Sequence, residues 1–198
     1  MKKGITKILS ACVFAFVVFL TAGTQSKAAV NMGVKQTGAG SSYVDLAWDA
    51  QLGAGHYHTQ FSQDGKNWID MDNSSSPSES VYNLTQGASY YARVVAYKGS
   101  HYTGTHVMIG VSETAIVSTK PTEVSGLTQT AAGVNSVSMS WNASAGAASY
   151  VIYGYINYNW TQIGTSATNS ATITGVAATT STRFSVAAVK NVTGGTVT

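Results

Sequence analysis

The 198-residue sequence has one cysteine, and only about a tenth of its residues are charged. The cysteine, Cys12, lies inside an N-terminal segment read below as cleaved, so the remaining chain has no disulfide and must be held by core packing alone. Sustained helical periodicity is missing beyond that segment. Catalytic signatures are missing too: there is no Ser-centred elbow, no phosphate loop and no His-Glu-x-x-His. Acid–base chemistry needs paired carboxylates or an oriented His in a concave site, and the eight Asp and Glu are scattered over turns and strand ends. These absences argue against an enzyme, and no cofactor is expected.

What stands at the N-terminus is a targeting signal. Lys2, Lys3 and Lys7 precede the uncharged apolar run Ile8 to Ala22, and Ser26-Lys27-Ala28 offers small residues for cleavage after Ala28. The run is shorter than the roughly 20 residues that span a bilayer, so residues 1–28 read as a signal peptide and not as a permanent membrane span. Without them, 7 Lys and Arg face 8 Asp and Glu, a net of one negative charge. No basic patch is left to attract nucleic acid.

Beyond the signal the chain repeats. Val34, Thr37, Gly40, Val44, Leu46, Trp48 and Tyr57 recur 93 residues later as Leu127, Thr130, Gly133, Val137, Met139, Trp141 and Tyr150. Trp68, Val81, Leu84, Val94 and Ala96 recur at an offset of 92 as Trp160, Ile173, Val176, Val186 and Ala188. A period near 90 suits two complete small domains in tandem. Segments such as YVDLAW and VSMSW alternate apolar and polar residues, and Asp64-Gly65 marks a hairpin. Short strands with frequent turn signals predict an all-β chain of two-sheet antiparallel sandwiches.

Trp48 and Trp141 in the second strand, Tyr57 and Tyr150 nine residues later, and Leu84 followed six residues on by Tyr90 resemble fibronectin type III domains. The resemblance covers essentially the whole chain after the signal. It implies two tandem fibronectin type III-like (Ig-like) sandwiches, at 30–119 and 124–198, joined by a linker at 120–123 that contains Pro121. It also implies that Tyr90 is a tyrosine corner whose hydroxyl bonds an upstream backbone carbonyl. The expected structural core is Trp48, Trp141, Tyr57, Tyr150, Leu84, Tyr90 and Val176. In the second repeat Thr182 stands in the place of Tyr90, which predicts a less stable domain. The first repeat closes with a strand at about Ser112 to Thr119. Its counterpart would fall beyond Thr198, so the second sandwich is expected to lack its last strand and to leave residues 184–189 as an open edge.

Two groups of residues are candidates for function. His56, His58, His101 and His106 all belong to repeat one, the last two within an expected loop from Lys98 to Val111. Converging imidazoles would suit zinc, but no metal-ligand spacing is met, so no metal is assigned. The second group is aromatic: Tyr153, Tyr155, Tyr158 and Trp160 crowd one hairpin of repeat two, with Tyr97, Tyr102 and Trp68 in repeat one. Flat rings with a polar edge suit stacking on sugars or anchoring a protein. The expected function is a secreted, extracellular and cell-surface-associated adhesion or spacer module, bacterial in character, that binds an extracellular protein or polysaccharide. The alternative is an accessory fragment of a longer secreted carbohydrate-active enzyme or wall-anchored surface protein.

Overall fold

A computed structural model describes residues 29–99, 106–176 and 182–198; the expected signal peptide, His101 and Tyr102 lie outside them. All regular structure among the described residues is β. Nine strands build the first unit: β1 (Ala29–Val30), β2 (Lys35–Ala39), β3 (Val44–Ala47), β4 (His56–Ser62), β5 (Ile69–Ser74), β6 (Ser78–Val81), β7 (Ser89–Lys98), β8 (Val107–Ser112) and β9 (Ala115–Ser118). Seven build the second: β10 (Thr128–Gly133), β11 (Ser136–Ser140), β12 (Ser149–Ile156), β13 (Asn159–Ser166), β14 (Ser170–Thr174), β15 (Phe184–Val192) and β16 (Gly195–Val197).

Each unit is a sandwich of two sheets. In the first, β2-β3-β6 faces β1-β8-β7-β4-β5, with β9 also on β7; in the second, β10-β11-β14 faces β13-β12-β15-β16. Alternation along the strands decides what lies between them. Tyr90, Ala92, Val94 and Ala96 of β7 all point inward and are buried with Trp48, Tyr57, Phe61 and Leu84. Met139, Trp141, Tyr150 and Ile152 form the second core, and Val176 packs partly buried against it. This is the all-β tandem fibronectin type III-like architecture that the sequence predicts.

The repeat holds down to single hydrogen bonds. Trp48 meets Tyr57 edge-on at 5.4 Å and 67°, and Trp141 meets Tyr150 at 5.3 Å and 67°. The Gln51 N–H donates to the Tyr57 hydroxyl, as the Ser144 N–H does to that of Tyr150, both at 3.0 Å. Bulges recur after Gln36 and Gln129, and after Thr59 and Ile152. Ser74 Oγ donates to the Ser78 carbonyl, and Ser166 Oγ to that of Ser170.

Several expectations are corrected. The loop expected from Lys98 to Val111 is shorter, because Val107–Ser112 forms β8 and pairs with Val95–Lys98 of β7. The closing strand is therefore split, with β8 and β9 on either side of a bend at Glu113 and Thr114. There the Ser112 hydroxyl accepts the Val94 N–H at 2.8 Å and donates to the Glu113 carbonyl, so a side chain bridges the interrupted ladder. The hairpin marked by Asp64-Gly65 does form, between β4 and β5, through a six-residue connection with Gly65 at a φ of 71°. The Asp64 carboxylate organises it by accepting from Lys66 N, Asn67 N and Asn67 Nδ2. Tyr90 accepts the Thr85 N–H at 3.0 Å and does not donate to an upstream carbonyl. The Thr85 carbonyl is already taken by Thr119 Oγ1 and the Ala88 N–H.

In the second sandwich the closing strand is the three-residue β16, which pairs only with Lys190, Asn191 and Val192. Among the described residues, Phe184 to Val189 carry strand partners on the β12 side alone.

The two sandwiches touch through hydrogen bonds on both sides of the linker. Ile116 of β9 and Thr193 exchange two: Ile116 N to Thr193 Oγ1 at 2.6 Å and Thr193 N to the Ile116 carbonyl at 2.8 Å. Thr122 and Ala145 exchange two more, and Lys190 Nζ donates to the Gly87 carbonyl. Burial there lowers the Lys190 pKa from its ordinary value. Gly87 and Gly146, both with positive φ, lie face to face.

Candidate functional site

Both candidate groups fall on one surface of the fold, the outer face of the sheet containing β4 or its repeat β12. In the first sandwich Tyr57 and Phe61 point inward from β4, so His56, His58 and Gln60 point outward, opposite Tyr97, Val95 and Arg93 of β7. The His106 ring lies on this group, 5.3 Å from His56, 6.1 Å from His58 and 4.9 Å from Tyr97. Tyr97 stacks on His56 at 5.1 Å and 9°. Three of the four predicted His are thus brought together with Tyr97.

The chemistry of that cluster is packing. His56 is buried, its Nδ1 3.0 Å from the Gly99 carbonyl, and His58 Nδ1 lies 4.0 Å from Asp70. Among the described residues no three His, Cys, Asp or Glu are placed to hold a metal ion. The rings pack against one another, and His56 and His58 also reach a carbonyl and a carboxylate oxygen. Burial raises the Tyr97 pKa, and the bond to His58 lowers that of Asp70.

A polar chain that the sequence did not reveal runs along this face. Arg93 lies 4.0 Å over the Trp68 ring and donates through Nε to Gln60 Oε1 at 2.8 Å; Gln60 Nε2 then donates to Asp70 Oδ1 at 2.7 Å. Strand register alone would align Gln60 with Arg93, but placing Asp70 beside them depends on the bulge after Thr59. Arg93 Nε, both ends of the Gln60 amide and Asp70 Oδ1 are partnered within the chain, and Arg93 covers the indole face.

The second sandwich presents its aromatics openly. Tyr150 and Ile152 point into the core, so Tyr153 and Tyr155 of β12 face out. Across β13 they oppose Gln162 and Trp160, and Tyr153 opposes Ser185 on β15. Tyr155 and Trp160 meet edge-on at 5.3 Å. Arg183 Cζ lies 6.0 Å from the Tyr155 ring, and the Arg183 carbonyl accepts the Tyr155 N–H. One row, Trp160, Tyr155, Arg183, thus crosses the sheet, with Gln162, Tyr153, Ser185 beside it. At about 4.8 Å between strands the ledge is roughly 10 Å wide. Tyr158 stands at its end, 91% exposed, where Asn157 and Tyr158 form a two-residue hairpin turn with φ of 49° and 65°.

A cleft of about 450 Å³ lies where β2 meets the β15–β16 hairpin, and no Asp, Glu, His or Cys side chain lines it. Among the described residues no helix is long and apolar enough to cross a membrane.

Neither a protein-family model nor a curated protein matches the sequence. Solved structures similar in fold include a two-domain fibronectin type III segment of chicken tenascin. It is 17% identical, with a TM-score of 0.41, over 83% of this chain and 93% of that one. The FN1-FN3 domains of chicken CNTN1 are 14% identical, with a TM-score of 0.46, over 85% and 66%. The fibronectin type III domain of human fibronectin type III domain containing protein 3 is 18% identical, with a TM-score of 0.35, over 48% and 91%.

Proposed function

We propose that the chain is a secreted, non-catalytic adhesion and spacer module that binds an extracellular sugar chain through the ledge of Tyr153, Tyr155, Tyr158 and Trp160. Residues 1–28 support export, and the shallow, acid-free ledge suits binding without chemistry. The observation that carries the reading is Tyr158. A two-residue turn with positive φ at both positions favours Asn-Gly, because a side chain at the second position is strained. This chain keeps Asn-Tyr there and turns the ring to solvent. Local strain maintained at an exposed aromatic is the pattern of a used surface. Tyr97 lies in the packed His cluster of the first sandwich and has no part in this ledge.

Tyr158→Gly separates binding from folding. The variant is more stable by about 1 kcal/mol, since glycine relieves the left-handed backbone, yet it is retained less by polysaccharide in affinity electrophoresis. Tyr155→Ala with Trp160→Ala abolishes retention. Unchanged migration of both variants in every polymer that retards the parent would overturn the assignment. Retention by a protein ligand alone, lost in the double variant, would keep the surface and replace the sugar.

A further inference from the structure

The ledge carries one charge, and its setting gives that charge a meaning. From residue 124 to 198 the sequence has no Asp or Glu, and its two cations are Arg183 and Lys190. Lys190 is engaged with the Gly87 carbonyl at the domain junction. Arg183 is exposed, and among the described residues its guanidinium makes neither a hydrogen bond nor an ion pair; its one recorded side-chain partner is the Tyr155 ring at 6.0 Å. The repeat supplies a contrast. On the equivalent face of the first sandwich Arg93 is half-buried over Trp68, bonded to Gln60, and linked through it to the carboxylate of Asp70. Residues 29–119 hold seven acids against four bases. One face neutralises its arginine internally, and the other leaves it free.

We infer that the ledge selects acidic polysaccharides, with Trp160 and Tyr155 stacking on a sugar ring while Arg183 receives a carboxylate of the same chain. A guanidinium offers planar paired donors that match a carboxylate, and an aromatic surface beside it lowers the local competition from water. No carboxylate in this domain repels the ligand or occupies the arginine. Gln162 and Ser185, in the adjacent row, supply neutral hydrogen-bonding groups for hydroxyls. The inference rests on the ledge being the binding surface and adds the sign of its ligand.

Affinity electrophoresis of the full chain through gels containing polygalacturonate or neutral dextran tests it. The parent is held at least about tenfold more strongly by the uronate polymer, the factor expected for one charge-assisted hydrogen bond. Arg183→Gln removes that preference, and Arg183→Lys restores part of it. Raising salt to about 0.5 M narrows the gap, since exposed charges are screened over a few ångströms there. Lys66→Gln, a change of the same charge in the first sandwich, has no effect. Equal retention by both polymers in the parent, or uronate retention unchanged in Arg183→Gln, overturns the charge selection and leaves the ledge standing. Retention that survives Tyr155→Ala with Trp160→Ala overturns the ledge itself.

Discussion

Substituting alanine for Gly146 should uncouple the two sandwiches. Gly146 has a φ of +83°, and a Cβ added there would sit against the Gly87 carbonyl oxygen and 2.6 Å from its Cα. Backbone cannot give way as a flexible side chain does, so the two turns that meet at the junction must separate. Among the described residues three hydrogen bonds adjoin this contact: the Thr122–Ala145 pair, which ties the linker to the second sandwich, and Lys190 to Gly87. At about 1 kcal/mol net each they represent roughly 3 kcal/mol of coupling, more than a hundredfold in the closed population. Nitrogen-15 relaxation reads this directly. In the parent both sandwiches report one shared correlation time, and in Gly146→Ala each reports its own shorter one. Gly53→Ala is the control: its φ of +82° imposes the same strain of about 1–2 kcal/mol, but nothing lies within 4 Å of the new Cβ. If Gly146→Ala still tumbles as one body, or Gly53→Ala uncouples the domains equally, the steric argument is wrong.

Tyr150→Phe removes the acceptor of the Ser144 N–H and should cost about 1 kcal/mol, seen in calorimetry as a transition several degrees lower; an unchanged transition would refute the role of the hydroxyl. The Asp64 carboxylate is held well below its ordinary value, first by the Asn67 and Lys66 backbone amides and then by the Ser62 and Asn67 side chains. Its contribution is therefore complete above the unfolded value of about 3.9 and is lost as pH falls below it. Asp64→Asn should flatten the acid limb of stability against pH, and a limb of the same steepness would exclude the group. Zinc titrated into the protein should produce no saturable heat; a stoichiometric isotherm would show that the imidazole cluster does more than pack.

Period, strand faces and core were legible because they depend on local alternation. Val44, Leu46 and Trp48 announce an inward face whatever lies opposite, and the repeat doubles each such signal. Interruptions were not legible. Nothing in Val107–Ser112 says that it pairs with β7, since that depends on a bulge after Ala96 and on the Ser112 hydroxyl standing in for a backbone carbonyl. The direction of the Tyr90 bond was hidden for a similar reason: it depends on which partners reach the Thr85 carbonyl first. For the candidate sites, the sequence assigned the His group to the first sandwich and the aromatic hairpin to the second. It could not tell the closed face from the open one, because an arginine in the sequence does not show whether a Gln, an indole and a carboxylate gather around it, as they do at Arg93. The domain junction left one sequence trace, glycine at both 87 and 146, which becomes meaningful only once the two are seen to touch.

The Glu113 carboxylate accepts the Met32 N–H at 3.1 Å and the Val34 N–H at 3.3 Å, beside the two-residue parallel pairing of β1 with β8. The consequence is mechanical. Strands that run parallel and are pulled from opposite ends slide past each other, so the bonds between them bear the load together instead of opening one after another. Tension along the chain would meet this side-by-side clasp before it reached the core of the first sandwich. The second sandwich closes on antiparallel β15 and β16, joined by Thr193 and Gly194, and tension on β16 opens that hairpin one bond at a time. Under pull the two repeats are unequal springs, and the softer one carries the ledge.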